Sequence, residues 1–314
     1  VLVLRALGLG DALTGVAALR GVRRAWPDRR LVLAGPPAVG AWLAGLGVVD
    51  AVLPVAGLGL LAYDGPGGHV AVDLHGRGPQ SHRVLLATRP RSLVAFDCPE
   101  VGHHGPAWQQ EEHEVDRWCR LVSAAGGRCG PEDLRIDVPA PRGDLVLLHP
   151  GAASGSRRWP ADRWGALGAR LVAAGRQVAV TGGVGERDLC ARVAALCGHG
   201  ARDLSGSRDV AGLAALVAGA HLLVCGDTGV AHLATAVGTP SVLLFGPTPP
   251  ARWGPRIDRD RHVVLWHGDP DHPGDPHGDA LDPALRRITV AEVEDAVQAE
   301  LARTREPRPL ALPG

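Results

Sequence analysis

Strand-length apolar runs that empty into glycine recur along this chain, and that repetition limits the fold more than any other feature of it. Residues 1 to 5 read as a buried strand, Gly8 and Gly10 make the turn that follows, and Ala12 to Trp26 carries apolar residues at helical spacing before Pro27. LVLAG at 31 to 35, AVLPV at 51 to 55, VAVDL at 70 to 74 and SLVAF at 92 to 96 are further runs of this kind. A second series starts with DLVLLHPG at 144 to 151 and continues through QVAVTGG at 177 to 183, HLLVCGDTG at 221 to 229 and SVLLFGP at 241 to 247. Helix-like stretches at 161 to 174, 186 to 197 and 209 to 218 lie between them. Strands that are apolar throughout, alternating with helices, predict parallel sheets covered on both faces. The expected fold class is therefore α/β, with two Rossmann-like doubly wound domains in tandem.

A length of 314 residues also favours two domains over one large core. The PAPRG segment at 139 to 143 reads as the linker, giving domains at 1–140 and 144–288. An amphipathic helix is expected at 289–304 and a disordered tail at 305–314. With 33 basic against 33 acidic residues the chain has no global field to attract nucleic acid, which is not expected as a partner. The six cysteines form no C-x-x-C pair, which argues against a zinc site and a disulfide framework and for reduced thiols in the cytoplasm. The apolar run before Arg5 is too short for a signal peptide, and no stretch reaches the length of a transmembrane segment.

Ligands of doubly wound sheets bind outside the carboxyl ends of the strands, so the expected site is a central cleft between the domains. The strongest local pattern is LLVCGDTGVAHLATAVGTPSVLLFGPT at 222 to 248, a strand, a glycine loop, a helix start and another strand. Backbone N–H groups of Thr228, Gly229 and Val230 there can meet a phosphate, because a helix N-terminus leaves donors unpaired and carries partial positive charge. Asp227 is placed to cap the helix or accept sugar hydroxyls, and His232 lies about one turn inside. An ordinary capped helix is the alternative. In HPGAASGSRRWPADRW at 149 to 164, a strand opens into a small-residue loop with Ser154, Ser156, Arg157 and Arg158, and a helix starts near Pro160. An arginine here can neutralise a departing diphosphate, or simply be solvated. In TGGVGERD at 181 to 188, Glu186 can hold ribose hydroxyls or cap a helix. GLGDAL at 8 to 13 mimics a dinucleotide fingerprint, yet Leu13 occupies the third glycine position and no acidic residue ends the strand at 31 to 35. A nicotinamide enzyme is thereby disfavoured, and Asp11 is left either as an N-cap or as a carboxylate able to take a proton from an attacking hydroxyl.

Taken together, GLGDAL, DLHGRGPQS at 73 to 81, HEVDRWCRLV at 113 to 122, HPGA with RRWP, TGG with Glu186, and GDTGVAHLATAVGTPSVLLFGPT resemble glycosyltransferase family 9, the heptosyltransferase type, in the family's order. The resemblance implies a GT-B architecture with an acceptor-binding first domain and a nucleotide-sugar-binding second domain. It also implies an inverting transfer without a metal or other cofactor, from a nucleotide diphosphate sugar, an ADP-sugar first of all, to a glycan or glycolipid acceptor of the cell envelope. By resemblance Asp11 is the general base, Arg157 the cationic phosphate contact, Glu186 the ribose contact, and Asp227, Thr228 and Gly229 the sugar and diphosphate loop. The family often has lysine where Arg157 stands, and arginine keeps the charge while changing reach and hydrogen-bond geometry. Arg20, Arg23 and Arg24, with Arg29 and Arg30, are candidates to hold an anionic or lipid-linked acceptor near the inner face of the membrane; a solvated helix face is the alternative. The segment 255 to 282 places His262, His267, His272 and His277 at five-residue intervals, but without zinc-ligand spacing, and its prolines and glycines read as a mobile loop. A nucleotide-sugar-binding protein that keeps the fold without turnover is the rival function.

Overall fold

The computed structural model describes residues 1–65 and 67–303, so the tail expected at 305–314 lies outside the described residues. The chain divides into two compact units, Val1–Ile136 with Asp209–Ala211, and Asp137–Arg208 with the segment from Gly212 onward. In the first unit, β1 (Leu2–Leu4), α1 (Leu9–Thr14), α2 (Val16–Ala25), β2 (Val32–Gly35), α3 (Pro37–Gly45) and β3 (Ala51–Pro54) follow one another. The unit continues with β4 (Val70–Asp73), α4 (Gln80–Leu86), β5 (Ser92–Val94) and α5 (Glu114–Ala124). Its strands are parallel in the order β3-β2-β1-β4-β5. The order reverses between β1 and β4, the place where a doubly wound sheet opens a crevice beyond its carboxyl edge.

The second sheet repeats the plan with one more strand. Its elements are β6 (Leu145–His149), α6 (Ala161–Ala173), β7 (Gln177–Val180), α7 (Arg187–Cys197), β8 (Ala201–Asp203) and α8 (Val210–Gly219). They are followed by β9 (Leu222–Gly226), α9 (Gly229–Val237), β10 (Ser241–Phe245), α10 (Pro250–Trp253), β11 (His262–Trp266), α11 (Pro283–Arg287) and α12 (Val290–Arg303). The parallel order is β11-β10-β9-β6-β7-β8, with its reversal between β6 and β9. Every residue of β9 and β10 is buried, which is why both strands read as unbroken apolar runs. Val293, Val297 and Leu301 of α12 join the core formed by Val146, Val178 and Val242, and Trp159 donates its indole N–H to the Ile288 carbonyl at 3.0 Å.

Two expectations need correction. The helix expected over Ala12 to Trp26 is two helices that meet at Gly15, a position kept as glycine because a Cβ there would lie 2.8 Å from the Arg5 Cδ. The loop expected at 255 to 282 contains β11, an edge strand in register with β10 from Ser241↔His262 to Phe245↔Trp266. The HVVLW stretch pairs its backbone against β10, and its flanking prolines and glycines mask that strand in the sequence. His262 is 6 % exposed, its Nδ1 lies 2.8 Å from the Ser241 hydroxyl, and burial pushes its pKa down to about 4, leaving the ring neutral. His267 faces Glu292 and His272 faces Asp269, and among the described residues no group of three His, Cys, Asp or Glu side chains could hold a metal ion.

Candidate functional site

In the second unit the chain leaves β6 and β9 at the reversal of strand order, and the expected donor-site residues gather there. β6 ends at His149, whose ring is buried with Nδ1 3.0 Å from the Thr181 hydroxyl; burial holds its pKa below the ordinary value, so the ring is neutral. The small residues that follow carry the chain into a single helical turn over Gly155–Arg157. Ser154 stands at the head of that turn. Ser156 donates its backbone N–H to Gly278 at 2.9 Å and accepts from the Asp282 amide at 3.3 Å. A Cβ on Gly155 would overlap the backbone of Asp279, so only glycine lets the turn approach this closely. Arg157 is thereby aimed at the end of β9, where its Nη1 donates to the Asp227 carbonyl at 3.3 Å and lies 3.9 Å from Asp227 Oδ2. The Arg157 Nε and the Ser156 hydroxyl are buried with no hydrogen-bond partner among the described residues. Buried polar atoms are rarely left so, and such atoms at a strand-end turn are suited to a polar ligand.

The N-cap position of α9 falls to Thr228, one residue past Asp227. Thr228 holds the cap position with extended backbone and no side-chain cap bond, and Gly229 and Val230 form the first turn behind it. The Asp227 carboxylate just before the helix lies 3.9 Å from Arg157 Nη1. His232 packs edge-on to Trp253 with ring centroids 5.8 Å apart. Glu186 leads into α7 and its Oε2 accepts from the Gly183 N–H at 2.8 Å, bracing the turn that follows β7. A Cβ on Gly151 would overlap the Glu186 carboxylate, so the acid lies directly against the backbone beyond β6. Arg158 instead points away, is exposed, and donates to the Ala152 carbonyl at 2.8 Å.

In the first unit Asp11 is the third residue of α1. The cap position belongs to Gly8, so Asp11 is not an N-cap; its carboxylate is partly exposed in the first helical turn, where a negative charge is favoured. Its main chain is held from behind by a residue that the sequence marks only as the end of an apolar run. Arg5 is 1 % exposed and donates from Nε to the Asp11 carbonyl, from Nη1 to the Leu74 carbonyl, and from Nη2 to Thr14 at 2.9 Å and Glu114 at 3.2 Å. Glu114 in turn accepts from Arg117 and from the Trp118 indole at 2.6 Å, while the Arg5 guanidinium lies 4.9 Å from the Trp118 ring centroid. Asp73, ending β4, faces His82 at 3.0 Å with both side chains fully buried, and His82 Nε2 meets the Phe96 carbonyl at 2.9 Å. Burial alone would lower the His82 pKa, but the Asp73 carboxylate and the Phe96 carbonyl outweigh it and raise the pKa.

Arg20, Arg23 and Arg24 lie along α2 and engage their own unit. Arg20 donates to the Asp133 and Arg135 carbonyls, Arg23 pairs with Asp50 at 2.6 Å, and Arg24 pairs with Asp133. No helix among the described residues is long and apolar enough to cross a membrane.

Residues 105–273 match the sequence profile of glycosyltransferase family 9 (heptosyltransferase), over half of the chain. Lipopolysaccharide heptosyltransferase 1 of Pseudomonas aeruginosa is 37% identical over 160 residues, which are 47% of this chain and 43% of the relative. The chain thus spans less than half the length of the curated relative it matches. Among solved structures, the glycosyl transferase family 9 protein of Veillonella parvula superposes with a TM-score of 0.77 at 16% identity, covering 96% of this chain and 97% of that one. E. coli ADP-heptose lps heptosyltransferase II superposes with a TM-score of 0.78 at 18% identity, covering 97% and 99%. At these identities the structural likeness establishes the α/β fold of the GT-B heptosyltransferases.

Proposed function

The chain belongs to glycosyltransferase family 9, the heptosyltransferase family, and from that premise we propose that it is an inverting, metal-independent sugar transferase. Its donor is a nucleotide diphosphate sugar and its acceptor a hydroxyl of a cell-envelope glycan or glycolipid. Relatives named for lipopolysaccharide and ADP-heptose make an ADP-heptose the first donor to test. Asp11 takes the proton of the acceptor hydroxyl, whose oxygen bonds to the anomeric carbon as the bond from that carbon to the diphosphate breaks. Arg157 and the N–H groups of Thr228, Gly229 and Val230 receive the charge that builds on the leaving diphosphate, and Glu186 takes the ribose hydroxyls. Ser154 and Ser156 line the diphosphate turn, and Asp227 and His232 complete the donor loop. Attack opposite the leaving group inverts the anomeric centre, and no cofactor is required.

The observation that carries this reading is the turn of Ser156 and Arg157, whose unpartnered polar atoms and guanidinium meet Asp227 at the end of β9. A cytoplasmic enzyme working against the inner face of the membrane is consistent with a lipid-linked acceptor, for which Arg20, Arg23 and Arg24 on α2 are candidate cationic contacts. No feature of the site favours donor binding without turnover.

Calorimetry of ADP, GDP, UDP and their sugars tests the donor site. Wild type is expected to select one nucleotide, and Arg157→Ala to weaken it by about 10- to 100-fold, the loss of a charge-assisted hydrogen bond. Equal binding by wild type and Arg157→Ala would remove Arg157 from the diphosphate site.

A further inference from the structure

DLHGRGPQS carries a second polar group to the reversal of strand order in the first unit. The backbone N–H of Ala6, just beyond β1, donates to Nδ1 of His75 at 3.2 Å. A backbone amide has only a proton to give, so Nδ1 holds a lone pair and the ring of a neutral His75 carries its proton on Nε2. The loop is locked around this arrangement: the His75 amide donates to Asp73 Oδ1 at 2.9 Å, the Leu74 amide to the Leu4 carbonyl at 3.1 Å, and the Leu74 carbonyl accepts from Arg5. The ring is partly exposed. Burial lowers its pKa, Arg5 lowers it further, and the opposing charges of Asp73 and Asp11 do not restore it, so the ring is neutral at pH 7.

We propose that His75 is an acceptor-binding residue whose Nε2–H donates to an uncharged oxygen beside the hydroxyl that Asp11 deprotonates. The proposal rests on the transferase reading and names the chemistry of its acceptor. An ionised Asp11 only accepts hydrogen bonds, and this histidine offers only a donor. A pair of neighbouring sugar hydroxyls satisfies both, one oxygen giving a proton and the other receiving one. A phosphate oxygen has no proton for Asp11 and is repelled by its charge.

The tautomer is tested without any ligand. With 15N-histidine-labelled protein, and His75→Gln to assign the signal, NMR at pH 7 is expected to show an unprotonated Nδ1 and a protonated Nε2. A protonated Nδ1, or a doubly protonated ring, would overturn the proposal. Binding is tested with ADP-heptose as donor and, as acceptor, de-O-acylated lipopolysaccharide from a strain lacking lipopolysaccharide heptosyltransferase 1. His75→Leu is expected to raise the acceptor KM on the order of tenfold with the donor KM unchanged, and His75→Gln, which keeps an N–H donor, to restore most of the loss. An active wild type with an insensitive acceptor KM in His75→Leu would overturn this proposal alone. A wild type inactive with this pair would count against the transferase reading, and this proposal would fall with it.

Discussion

Asp11→Asn is expected to slow sugar transfer by about 10²- to 10⁴-fold, the usual contribution of a positioned general base, while leaving donor affinity near that of wild type. The substitution isolates the chemistry because the architecture around Asp11 depends on its main chain. Its carbonyl, which the change leaves intact, accepts from Arg5, from the Thr14 hydroxyl at 2.9 Å and from the Gly15 amide at 3.2 Å. The carboxylate forms no cap bond for α1, so its neutral isostere removes a proton acceptor without removing a structural tie. Steady-state kinetics with calorimetry of the donor checks the expectation. Near-normal turnover with intact donor binding would show that another group takes the proton.

Glu114→Leu is expected to cost the first unit about 3–5 kcal/mol, the range for breaking a buried ion network by deleting one partner. Glu114 is the common acceptor of Arg5, Arg117 and the Trp118 indole. Without it two guanidinium groups, 1 % and 5 % exposed, lose their shared counter-ion. Arg117 keeps the carbonyls of Gln109, Gln110 and Glu112, and Arg5 keeps those of Asp11 and Leu74, which satisfies N–H groups but neutralises no charge. Urea unfolding followed by tryptophan fluorescence is the measurement, since Trp108 and Trp118 lie against these groups. A stability within 1 kcal/mol of wild type would show that water or rearranged carbonyls replace the carboxylate.

The sheets were legible in the sequence because parallel strands buried on both faces are continuous apolar runs, as LLVCG and SVLLF show. β8 was hidden because its ARD triplet is short and two of its three residues are exposed; β11 was hidden among prolines, glycines and histidines. The helix break at Gly15 had no local signal beyond the glycine itself, and that glycine is required by the Arg5 side chain packed against it, a tertiary contact. The loop between β9 and α9 was legible as a strand, a glycine and a helix start, but the assignment of its cap was not. Thr228 and Asp227 are both good capping residues; Thr228 holds the cap position, and Asp227 accepts at its carbonyl from Arg157, 70 positions away in the chain. Arg5 had a sequence signal, a charge closing a buried strand, and a buried arginine demands a counter-ion; that this is Glu114, 109 residues on, only the fold shows. The tautomer of His75 was wholly invisible, since it follows from one amide proton donated by Ala6.

The most direct test of the transferase itself is to follow ADP-heptose, a lipopolysaccharide acceptor and the wild-type protein by NMR in the presence of EDTA. The expected result is release of ADP in step with a new glycosidic signal of inverted anomeric configuration, at a rate the chelator does not change. Donor binding with no glycosidic product would contradict the account, and a product of retained configuration or a rate abolished by EDTA would contradict its mechanism.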